Sequence, residues 1–72
     1  MDVKQRMRHE AVDRIVSTAT SVSVEAKDMG RLAVMAREPG QLFGLEQQLA
    51  RLRKAMEIIA EQTATLRVLE KL

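Results

Sequence analysis

Two apolar stripes run through this chain, each with the three-then-four spacing that puts residues on one face of a helix. The first is Val12, Ile15, Ala19, Val22, Ala26, Met29, Ala33 and Ala36; the second is Leu42, Leu45, Leu49, Leu52, Met56, Ile59, Thr63 and Leu66. Between them lies Arg37-Glu38-Pro39-Gly40, with the only proline of the 72 residues. Proline pushes the residue before it out of helical geometry, and a following glycine suits a tight turn. The pattern predicts an all-α fold, a two-helix antiparallel hairpin of coiled-coil type in one domain. The first helix is expected over about 2–37, the turn over about 38–41 and the second helix over about 42–71.

The two stripes differ in quality. The first is half alanine, which lets a neighbouring helix approach closely but buries little area per residue. Its stretch Val16-Ser17-Thr18-Ala19-Thr20-Ser21-Val22-Ser23-Val24 is rich in β-branched and hydroxyl residues, which form helix poorly. A lone strand there has nothing to pair with, so the segment is read as helix, with Ser17 and Ser21 placed to bond back to carbonyls one turn earlier. Asp2 and Gln5 have the spacing of a capping box. Gly30 is either a point of close contact or a soft point in the helix.

The second stripe is stronger and holds its spacing for more than three heptads. After Leu66 the next leucine is Leu69, where strict alternation asks for position 70, so the stripe drifts around the helix. Ile58 and Ile59 point about 100° apart and cannot both face one thin partner helix. Their adjacency implies a thicker core or a second contact surface. On the polar faces, Glu10 with Arg14, Lys54 with Glu57 and Arg67 with Glu70 have the spacing of helix-stabilising ion pairs.

A two-helix chain of this length has a single internal interface, and such small chains bury only about 60% of their unfolded surface. There is no cysteine, hence no disulfide or thiolate metal site to supplement the core. The hairpin is therefore expected to be completed by self-association, as in a four-helix bundle, or by a protein partner. The expected interaction face is Leu45, Leu49, Leu52, Met56, Ile58, Ile59 and Leu66.

Charge adds little. Charged residues make up 31% with a formal net charge of only +2. The basic clusters Lys4, Arg6, Arg8 and Arg51, Arg53, Lys54 are each interrupted by acids nearby, and one phenylalanine is the whole aromatic content. Nucleic acid is kept as a weaker alternative partner. No run approaches a membrane span, and the first residues lead into no signal-peptide core, so a cytoplasmic protein is expected.

Chemistry fails on inventory. His9 is the only histidine, Glu57 and Glu61 have no cleft to perturb them, and Gly40-Gln41-Leu42-Phe43-Gly44 lacks the Lys and Ser/Thr of a phosphate loop. The expectation is no enzyme, no cofactor and no metal.

The run Pro39-Gly40-Gln41-Leu42-Phe43-Gly44-Leu45-Glu46-Gln47-Gln48-Leu49, followed by Leu52, Ala55, Met56, Ile58 and Ile59, resembles the small co-chaperones of type III secretion needle subunits. The resemblance covers about 25 residues, from Pro39 to about Thr63. It implies a cytoplasmic helical hairpin that pairs with a larger, repeat-containing chaperone, the two together holding the needle subunit as a soluble monomer. In that setting Leu45, Leu49, Leu52, Met56 and Ile59 would face the first helix or the larger chaperone. The functional expectation is a non-enzymatic protein–protein interaction module, adapter- or co-chaperone-like. The alternative is a self-associating helical bundle with a structural or DNA-associated regulatory role.

Overall fold

The computed structural model describes residues 2–72 and contains two α-helices in antiparallel contact, α1 (Val3–Met35) and α2 (Leu42–Lys71). Asp2 caps α1: its Oδ1 accepts from the Gln5 amide at 2.7 Å. The hydroxyl-rich stretch is continuous helix. The back-bond there is made by Thr20, whose Oγ1 donates to the Val16 carbonyl at 3.0 Å, rather than by Ser17 or Ser21. Packing against a neighbour overrides weak intrinsic propensity here, because Thr18 and Val22 are half-covered by α2.

The reversal is a short sequence of closing bonds. The amides of Ala36, Arg37 and Glu38 turn back to the carbonyls of Leu32, Val34 and Met35. Glu38-Pro39-Gly40-Gln41 then forms a type II turn, with Pro39 at its second position and Gly40 at its third with φ 89°. The Gln41 amide donates to the Glu38 carbonyl at 3.3 Å and closes it. An L side chain at Gly40 is strained by that φ, which gives the glycine its reason.

The residues that α1 and α2 turn toward each other repeat as a heptad, with positions a and d inward. From Ala11 onward, a is Ile15, Val22, Met29 and, just past the end of α1, Ala36, and d is Ala11, Thr18, Glu25 and Leu32; all are buried or half-buried, whereas Arg8 and Lys4, which continue the two rows at the start of α1, are exposed. In α2, a is Leu45, Leu52, Ile59 and Leu66, and d is Gln48, Ala55, Gln62 and Leu69. This corrects the expected stripes. Each combined the a row with the e row (Val12, Ala19, Ala26, Ala33 in α1; Leu42, Leu49, Met56, Thr63 in α2), whereas the seam uses a and d, and the e residues are exposed. The d rows form no apolar stripe because polar residues occupy half of these positions.

The result is a rod of 55 × 16 × 11 Å with a radius of gyration of 16.6 Å, where a compact chain of this length has about 11 Å. Its core is thin. Among the described residues only Ala11 and Leu69 are buried apolar residues, at 2% and 3% exposure, and no large side chain is fully enclosed. The solvent-accessible surface is 5727 Å², about a quarter more than the roughly 4,500 Å² of a compact protein of this mass.

Candidate interaction face

Three contacts fix the register of the hairpin. Gln48 Nε2 donates to the Glu25 carbonyl at 3.1 Å. A Cβ at Gly44 would sit 3.4 Å from Leu32 Cδ2. At the open end, Val3, Met7, Thr65, Val68 and Leu72 line one apolar groove. Met7, Thr65 and Leu72 are all g positions, so the g rows of both helices share one broad side of the rod, and the e rows share the other.

The expected interaction face is divided by this geometry. Leu45, Leu52, Ile59 and Leu66 are half-buried in the seam against α1. Leu49 and Met56 point outward on the e side, 37% and 59% exposed. Ile58 occupies a g position and is half-buried along the flank of the seam. The step of 100° between Ile58 and Ile59 is thus absorbed by the hairpin itself, with one residue in the seam and the other beside it. The outward members of the expected face, Leu49 and Met56, lie across the seam from Ile58.

One member of the seam carries polar chemistry that the stripes did not single out. Gln48 is 6% exposed and pairs with a backbone carbonyl inside α1, an oxygen that also serves the helix ladder. Next to it, Glu25 has a buried Oε2 with no hydrogen-bond partner among the described residues. The signal for Gln48 was present in the sequence: counting back from Leu69 in steps of seven passes through Gln62, Ala55 and Gln48.

The two broad sides differ in charge. On the g side the rows carry Arg14, Asp28 and Arg51. On the e side, no charged residue interrupts the row from Val12 to Ala33 in α1 or from Leu42 to Thr63 in α2. The ion pairs expected on the polar faces are not formed; the one pair among the described residues is Arg31 with Asp28 at 3.6 Å, solvent-exposed on both partners. Such a pair contributes little to stability. The basic clusters remain apart. The register sets Arg51–Lys54 beside α1 at roughly residues 21–24, about 24 Å along the rod from Lys4–Arg8.

Among the described residues, no helix is long and apolar enough to cross a membrane. Comparison with family models, with curated proteins and with solved structures finds no significant match to this chain.

Proposed function

We propose that this chain is a non-enzymatic protein–protein interaction module, an adapter- or co-chaperone-like hairpin that works by laying its outward apolar rows on other helices. The observation that carries the proposal is the pairing of a thin core with a long uncharged apolar row on one broad side. Apolar burial is the main favourable term in folding, at roughly 25 cal/mol per Å². A rod that leaves about a quarter more surface exposed than a compact chain gains in stability from any helix that covers it.

Two forms of the proposal differ in what supplies those helices. In the heteromeric form, which the resemblance to needle-subunit co-chaperones suggests, a larger chaperone covers the row. In the homomeric form another hairpin covers it. A DNA-associated role is weaker, because the two basic clusters are separated along the rod and do not build one footprint.

The test is the thermal unfolding of the isolated chain by circular dichroism, across protein concentrations spanning about two orders of magnitude. A midpoint that rises with concentration marks the homomeric form. A poorly helical chain at every concentration marks the heteromeric one. A fully helical chain with a sharp midpoint independent of concentration needs no partner and removes the basis of the proposal.

A further inference from the structure

We propose that the e side of the hairpin is a homodimer interface, on which a second copy packs face to face about a two-fold axis parallel to the rod. The inference rests on the interaction-module reading above and commits it to one surface and one occupant. Its basis is how the two e rows divide small from large residues. In α1 the row is Ala19, Ala26 and Ala33; in α2 it is Leu42, Leu49 and Met56. The register that places Gln48 beside Glu25 sets Ala26 level with Leu49, Ala19 with Met56, Ala33 with Leu42 and, at the end of the lane, Val12 with Thr63. Each broad e side is thus a shallow lane of small residues running beside a ridge of large ones.

A two-fold axis along the rod keeps heights unchanged and exchanges left for right. It lays α1 of one copy on α2 of the other, antiparallel, with each ridge over the partner's lane. Leu49 of one copy then meets Ala26 of the other, and Met56 meets Ala19. A two-fold axis across the rod would instead stack lane on lane and ridge on ridge, which leaves voids at one and crowding at the other. The surface is therefore complementary to itself, as an isologous contact requires. The full 55 × 16 Å side offers about 900 Å² per copy, against about 800 Å² per partner in a standard stable interface, and the uncharged stretch of the e rows, about 32 Å long, occupies a little over half of that length. The product is a four-helix bundle whose central core carries no charge from the e rows between Val12 and Ala33 or between Leu42 and Thr63. The g rows carry Arg14, Asp28 and Arg51 along their length, and their apolar groove is confined to the open end, between Val3, Met7, Val68 and Leu72.

The chain has no cysteine, so introduced thiols are unique. Two single variants, A26C and L49C, carrying different tags, are mixed and treated with a short thiol–thiol cross-linker, so that the A26C–L49C product can form only between copies. The expected result is that this product dominates, with at least about ten-fold less when R51C, on the g side, replaces L49C. In parallel, the unmodified chain should sediment as a dimer at about 10 μM, and the double variant L49D/M56D should dimerise at least about ten-fold more weakly. If the double variant fails to fold, the cross-linking still decides, since each cysteine variant retains the rest of the lane. Equal or preferred cross-linking through Arg51→Cys overturns the proposal, as does a monomer at about 100 μM. A monomer that is poorly helical removes the second copy and leaves the interaction-module reading to a different partner. A monomer that is fully helical, with concentration-independent unfolding, removes both.

Discussion

At the scale of single residues, the polar layer formed by Gln48 and Glu25 concentrates cost and specificity in one place. Gln48 satisfies its donor on a backbone oxygen of α1, so its hydrogen bond depends on the register of the two helices and not on the side chain at position 25. The Glu25 carboxyl is a separate matter: its Oε2 is removed from water without a partner among the described residues, and such groups cost about 1–3 kcal/mol. The two substitutions should therefore act in opposite directions. Glu25→Leu keeps the acceptor, removes the unpaired oxygen and fills a d position with apolar atoms; it should raise stability by about 1 kcal/mol, some 4–8 °C in a domain of this size. Gln48→Ala removes the donor and leaves space at a site only 6% exposed, and should lower stability by about 1–2 kcal/mol. Thermal melts of the two variants beside the parent chain check both signs. A polar residue at one core position of a coiled coil is known to fix register at some expense of stability, and this pair has that form.

At the scale of the helix, the seam was legible in half of its rows. From Ile15 to Ala36 and from Leu45 to Leu66 the a positions are apolar, with Ile15, Val22 and Met29 facing Ile59, Leu52 and Leu45, so two helices and their contact followed from the pattern alone; the row turns polar at Arg8, near the start of α1. The second row did not, and the reason is physical. The e residues Leu49 and Met56 are more apolar than the d residues Gln48 and Gln62, so a hydrophobic stripe leans toward e, while the partner helix of the hairpin sits over d. The drift at Leu69 was the one sequence sign of the true seam, for it is the step from a to d. Leu69 is the most buried leucine, at 3%, whereas its neighbour Val68 is 58% exposed. Leu69→Ala should therefore cost about 2–3 kcal/mol and Val68→Ala less than about 0.5, measured by urea denaturation. The reverse order would show that the seam had been assigned to the wrong rows. The turn was legible for a different reason. Glu38-Pro39-Gly40-Gln41 carries the residues a type II turn needs at its second and third positions, so local chemistry settled it without reference to packing.

At the scale of the whole molecule, shape and charge argue for the same kind of association. The rod has length for contact but no depth for a core, and its net charge of +2 is spread over interleaved acids and bases. An association built on the e rows buries no charge from them, so salt has little to screen. Binding of the basic clusters to phosphates would behave in the opposite way, weakening steeply as cations compete. Sedimentation of the chain in sodium chloride between about 0.05 and 1 M therefore distinguishes the two kinds of contact. The oligomer should persist across the range with less than about a three-fold change in its dissociation constant, and ammonium sulfate, which strengthens apolar burial, should tighten it. An association that dissolves as salt rises would instead place the contact on Lys4–Arg8 and Arg51–Lys54. It would turn the function toward an acidic partner, because those clusters are the densest positive charge along the chain.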